Sequence, residues 1–142
     1  MKAFLDTSVL VSAFLGDHPH HGPSLDLLAR CVPTEAACAV HSLLEVYSVL
    51  TRMPGKYRIT GDQALLFVGN VREHLSLVAL TAEESVTALE QFAAAGVSGG
   101  AIHDAHIAAC ALKSRAKALY TWNIGHFSRL GPQVAPLLRT PL

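Results

Sequence analysis

Three carboxylates stand apart from the other acids of this chain. Asp6 ends the apolar run Ala3-Phe4-Leu5, Glu45 sits between Leu44 and Val46, and Asp104 precedes Ala105 and Ile107. Gathering several carboxylates in apolar surroundings is unfavourable, because like charges repel and desolvation disfavours ionisation. A hard divalent cation removes the conflict. Mg²⁺ or Mn²⁺ takes oxygen ligands and keeps waters and substrate phosphate in its shell. The chemistry open to such a site is metal-assisted hydrolysis of a phosphodiester.

Each acid also has an ordinary structural explanation. Asp6 is a natural helix N-cap after a strand. Ser42-Leu43-Leu44-Glu45 fits the S/T-x-x-E capping box. Asp104 falls in a first helical turn, where the macrodipole favours a carboxylate. Asn123 fits a turn after a strand. Other constellations are weaker. His18, His20 and His21 surround Pro19 without a cysteine at finger-like spacing, so an exposed loop is expected there. His103 and His106 flank Asp104, but H-D-A-H lacks the H-E-x-x-H spacing of zinc hydrolases. Supporting or core roles are expected for them. Trp122 suits stacking on a base or simple packing. No G-x-x-x-x-G-K-[ST] loop occurs, and Ser8 stands where an aspartyl-phosphate enzyme would want its second acid.

Strands and helices alternate along the chain. Strands are expected at Ala3–Leu5, 36–40, 76–80 and 118–121. Helices are expected from Asp6-Thr7-Ser8 to Leu15, then over 24–32, 42–53 and 62–74, from the Thr81-Ala82-Glu83-Glu84 capping box to Ala95, and over 102–115. Gly, Pro and polar residues mark the loops at 16–23, 54–55, 96–100 and 131–132. This alternation predicts an α/β fold with a parallel sheet covered on both faces. Ligands then bind beyond the carboxyl ends of the strands. Asp6-Thr7-Ser8, Ser42 and Thr121-Trp122-Asn123 fall at those ends.

Composition narrows the function classes. Eleven basic residues balance eleven acidic ones, which excludes gripping nucleic acid by bulk positive charge but not cutting it. Two small basic groups, Arg52/Lys56/Arg58 and Lys113/Arg115/Lys117, fit either a solvated rim or tracks for a nucleic-acid backbone. Apolar residues make up 51% and charged ones 15%, so the chain supports a core and leaves apolar surface for a partner. Three cysteines in apolar stretches fit buried thiols in a reducing compartment. Asp6 interrupts the early apolar segment and no stretch is long enough to span a bilayer, so a cytoplasmic protein is expected.

Four segments together resemble the PIN-domain nucleases, and more narrowly the VapC-type toxins of toxin–antitoxin pairs. Ala3-Phe4-Leu5-Asp6-Thr7-Ser8 resembles the family's strand followed by D-[TS]-[SN]. The helix from Ser42 through Glu45 to Arg52 resembles the second motif, and Asp104-Ala105-His106-Ile107-Ala108-Ala109 the third, D-A-x-I-A-A. Thr121-Trp122-Asn123, followed by His126-Phe127, resembles the fourth. The resemblance implies a three-layer α/β/α PIN-like fold with a central parallel sheet, residues 1–142 forming a single nuclease domain. It implies a Mg²⁺-dependent endoribonuclease (Mn²⁺ as substitute), the toxin of a type II system, with RNA as substrate, a VapB-like antitoxin and a homodimer as assemblies. Asp6, Glu45 and Asp104 are then the catalytic and metal-binding acids, with Asn123 a further ligand. Thr7, Ser8, Thr121 and Arg52 become candidate substrate contacts. Many relatives carry Asp where this chain has Asn123, and some have Asp at His126. One tight ion is therefore expected, a second arriving with the RNA phosphate. The alternative is a PIN-like module that binds RNA or protein without cutting.

Overall fold

The computed structural model describes residues 1–142. Five short strands, β1 (Ala3–Leu5), β2 (Ala36–Ala39), β3 (Ser76–Val78), β4 (Ala118–Tyr120) and β5 (Leu138–Arg139), form one sheet in the order β3-β2-β1-β4-β5. Every pairing is parallel, so all the carboxyl ends point the same way. Seven helices cover it: α1 (Thr7–Phe14), α2 (His21–Arg30), α3 (Val40–Thr51), α4 (Gly61–His74), α5 (Ala82–Ala94), α6 (Ala101–Lys113) and α7 (Ile124–Phe127).

Successive strand side chains alternate between the two faces, and the core divides accordingly. Leu5, Ala36 and Cys38 join Val9, Leu10, Leu28, Val46, Leu50 and Val71 from α1 to α4 on one face. Phe4, Ala37, Ala39 and Leu119 join Ile107, Ala108, Ala111 and Phe127 from α6 and α7 on the other. The expected three layers are the observed ones. All three cysteines are free and buried, two of them in strand or helix interiors. No helix is long and apolar enough to cross a membrane.

Several boundaries differ from the sequence reading. The Ser42–Glu45 capping box is not formed: α3 begins at Val40, its N-cap is Ala39, and no side chain caps it. Ser42 is instead fully buried inside the helix. β2 ends at Ala39, one residue earlier than expected, because α3 begins at Val40. The helix expected from Ser24 starts at His21, so the histidine segment is partly helical. The capping box at Thr81/Glu84 is present in both halves, and a second, Thr60/Gln63, opens α4. β5 is two residues long and carries no readable alternation.

Candidate active site

Leu5 pairs in register with Tyr120 across β1 and β4, so Asp6 and Thr121 leave the sheet side by side. The Asp6 amide donates to the Tyr120 carbonyl at 2.9 Å, extending the ladder one step. Asp6 then turns with φ −75° and ψ 158° into α1 as its N-cap, as its position predicted. The residue is 2% exposed. Oδ2 accepts from the Ser8 hydroxyl at 2.8 Å, the Thr121 hydroxyl at 2.8 Å and the Ser8 amide at 3.4 Å. Oδ1 receives none of these. Since no buried side-chain polar atom lacks a partner, Oδ1 is not fully covered, and Asp6 lines the cleft.

Burial pushes the Asp6 carboxyl up from 3.8 to about 6, against the lowering effect of Ser8 and Thr121; the charge of Asp104 adds to the rise. Asp104, in the first turn of α6, is also raised, first by burial, with His126 opposing and Glu45 reinforcing. His126 Nδ1 lies 3.8 Å from Asp104 Oδ2. Glu45 sits in the second turn of α3, its Oε1 2.8 Å from the Thr7 hydroxyl that donates to it. The Ser42 hydroxyl stands 2.9 Å from the same Thr7 oxygen. Thus α1, α3 and α6 each bring one acid to a single cleft of about 530 Å³, shared with Asn123, Trp122 and His20. Asp6 and Asp104 feel each other's charge, as do Asp104 and Glu45.

The candidate residues divide by position. Asn123 is exposed at the cleft, and its amide donates to Thr121 Oγ1 at 2.9 Å. Thr121, expected as a substrate contact, is fully buried with its hydroxyl on Asp6, so it positions that acid instead. The Ser8 hydroxyl is likewise engaged by Asp6, and it accepts from the Trp122 amide at 3.0 Å. Arg52 is exposed at the end of α3, seven residues beyond Glu45 and three beyond the cleft residue Val49, hence on the same helical stripe. Of the second basic group, Arg115 and Lys117 precede β4 at the end of the sheet remote from the acids, whereas Lys113 ends α6. Lys113 there binds Glu84 at 2.6 Å and the Ala79 carbonyl at 2.9 Å.

Two histidine contacts escaped the sequence reading. His18 and His20 lie in the expected loop, with His20 exposed, but that loop also lines the cleft, and His20 stacks on Trp122 with centroids 3.7 Å apart. His41, at the start of α3, reaches His103 Nδ1 at 3.1 Å and lies 4.0 Å from Glu45. Their separation of 62 positions in the chain hides this pairing from any local pattern.

No three His, Cys, Asp or Glu side chains converge closely enough to hold a metal ion by themselves. The donor set is nevertheless carboxylate and amide oxygen around a buried acid whose ionisation is opposed. That suits a cation which retains waters and takes substrate oxygen, and not the closed tetrahedral shell of structural zinc.

Residues 3–131 match the sequence pattern of the PIN domain. Over 114 residues the chain is 35% identical to Ribonuclease VapC27 of Mycobacterium tuberculosis, covering 80% of this chain and 79% of that protein. It is 33% identical to Ribonuclease VapC40 of the same species, covering 80% and 81%. Among solved structures, M. tuberculosis VapC20, described as a sarcin-ricin loop cleaving toxin, superposes with TM-score 0.68 at 21% identity over 86% of this chain and 90% of that one. VapBC2 of Rickettsia felis, crystallised with a DNA fragment from its promoter, gives TM-score 0.67 at 21% identity over 99% and 98%.

Proposed function

Because this chain belongs to the PIN-domain family, among its VapC-type members, we propose that it is a divalent-metal-dependent endoribonuclease, the toxin of a VapBC-type pair, with residues 1–142 acting as one nuclease domain. One observation carries the reading: acids from three segments far apart in the chain, the end of β1, α3 and α6, line one cleft at the carboxyl ends of a parallel sheet, the deepest with one oxygen left unbonded.

Asp6 Oδ1, Asp104 and Glu45, with the Asn123 amide oxygen, would hold Mg²⁺ or Mn²⁺, which supplies polarisation of the scissile phosphate and a water of lowered pKa. The protein's own part is positioning. Thr121 and Ser8 fix Asp6 through Oδ2 and so aim Oδ1 outward. Thr7 fixes Glu45 through Oε1, leaving Oε2 to orient the attacking water. His126, 3.8 Å from Asp104, offsets part of the negative charge when its imidazole is protonated. Arg52, further along the Glu45 stripe, is placed to meet a neighbouring phosphate. Attack by water leaves 5′-phosphate and 3′-hydroxyl ends.

Family membership also supports a second copy and a VapB-like antitoxin as partners. Exposed apolar side chains on α3 and α4 (Leu44, Tyr47, Leu65, Leu66) are surface free for such contacts. The test is cleavage of RNA by the purified chain, with and without chelator, and analysis of the ends. Chelator-sensitive cleavage leaving 3′-hydroxyls is expected. Cyclic phosphate ends would overturn the chemistry, and binding without any cleavage would return the chain to a recognition module.

A further inference from the structure

The cleft has an aromatic wall that the hydrolytic chemistry does not use. The Trp122 indole follows Thr121 directly, and its Nε1 donates to the Ser24 hydroxyl at 2.8 Å. Ser24 is fully buried and also within 2.9 Å of the Ser12 hydroxyl. The indole is therefore locked in orientation by α1 and α2. On it lies the His20 ring, 3.7 Å between centroids and 7° from parallel, with His18 tilted beside it at 5.6 Å. His20 itself is exposed, as an outward ring in a stack has only one face covered.

This stack needs explaining. An imidazole held flat on a fixed indole, at the lip of a cleft containing three acids, presents a rigid planar surface to whatever enters. The adjoining cavity shares His18 with the cleft and is lined by Lys56 and Tyr57, the Lys56 ammonium 5.2 Å over the Tyr57 ring. Asp17 faces that cavity too, accepting from the Tyr57 hydroxyl at 3.3 Å. Alternating flat rings and a cation are the means by which proteins hold unpaired nucleotides, the rings taking bases and the cation a phosphate.

We propose that the exposed face of His20, backed by Trp122, seats an unpaired nucleobase flanking the cleaved phosphodiester, and that the strand continues past His18 toward Lys56 and Tyr57. This rests on the ribonuclease reading for its substrate and adds the element that selects single-stranded over paired RNA. A base inside a duplex has both faces covered by its neighbours and cannot occupy this seat.

Trp122 is the only tryptophan of the chain, so its emission reports on the seat without any cleavage. The full chain in chelator is titrated with a short oligoadenylate and with an abasic ribose-phosphate oligomer of equal length and charge. Oligoadenylate should quench Trp122 saturably, and the abasic oligomer should bind about tenfold more weakly, the usual scale of one base stacked on an aromatic ring. His20→Ala should lower oligoadenylate affinity to the abasic level, and His20→Tyr should restore it by returning a flat ring. Equal binding of the two oligomers, or undiminished affinity in His20→Ala, overturns the seat. A parallel cleavage assay separates the two readings: RNA cut without base-dependent binding removes the seat and leaves the nuclease. Base-dependent binding with no RNA cut upholds the seat and removes the nuclease.

Discussion

The two sides of the cleft hold their carboxylates in opposite ways. Where β1 and β4 end, Asp6 is buried, capped into α1 and tied by two hydroxyls through one oxygen. On the rim made by α3 and α6, Glu45 and Asp104 are about 30% exposed, and their neighbours are the imidazoles of His41 and His126 at 3.8–4.0 Å. The buried acid is over-determined in position while burial opposes its charged form; the rim acids are more exposed and are positioned by fewer contacts. The division assigns opposite burdens. The deep acid makes the site a structural liability until positive charge arrives, and the rim tunes what comes to it.

Breaking the deep side should have the largest effect. Asp6→Asn is expected to reduce RNA cleavage by roughly 10²–10³-fold, the scale of losing one preorganised electrostatic contact to the transition state. In chelator at pH 7 the same variant should melt higher than wild type. The rise of the Asp6 carboxyl from 3.8 to about 6 corresponds to at most about 3 kcal/mol of destabilisation by its charge. The sign follows from linkage: the folded state binds the proton more tightly, so stability falls as pH rises through this window. The gap in Tm between variant and wild type should therefore close as pH is lowered toward 4. A variant less stable than wild type across the whole range would show that Asp6 acts as a cap before anything else.

Thr121→Val tests the tie behind that acid without touching the cleft. Removing one of its two hydroxyl donors should push Asp6 still higher and weaken Mn²⁺ activation about 10–100-fold, read from the metal dependence of cleavage. Glu45→Gln probes the rim. The substituted amide oxygen can still accept from Thr7, and α3 does not depend on Glu45 for capping, so stability should stay within about 0.5 kcal/mol. Activity should fall about 10–100-fold, the scale of losing a residue that orients groups at a metal site. Unchanged activity would confine the chemistry to Asp6 and Asp104. The smallest effect belongs to Lys113→Ala at the last residue of α6, outside the cleft and bonded to Glu84, where cleavage and RNA affinity should be unaltered. A marked loss there would place an RNA path across the opposite face.

Sequence legibility followed the same division. Asp6 could be recognised because its signal is local: an apolar strand, an acid and a following helix lie within a dozen residues. The Thr81/Glu84 box was readable for the same reason. Ser42–Glu45 carried an identical local signal and misled, because β2 ends after four residues and the helix had already begun at Val40. Thr121 looked like an exposed hydroxyl at a strand end until the β1–β4 register placed it behind Asp6.

What the chain's own order of residues determined is the set of elements, their apolar faces and the identity of the acids. Periodicity, caps and turn residues act over a few positions and are written in neighbouring letters. What the tertiary structure alone decided is which oxygen of Asp6 remains free, that Thr121 supports rather than contacts, and that His20 lies flat on Trp122. These pairings join residues a hundred or more positions apart and depend on parallel strands settling into one register, which no local spacing encodes.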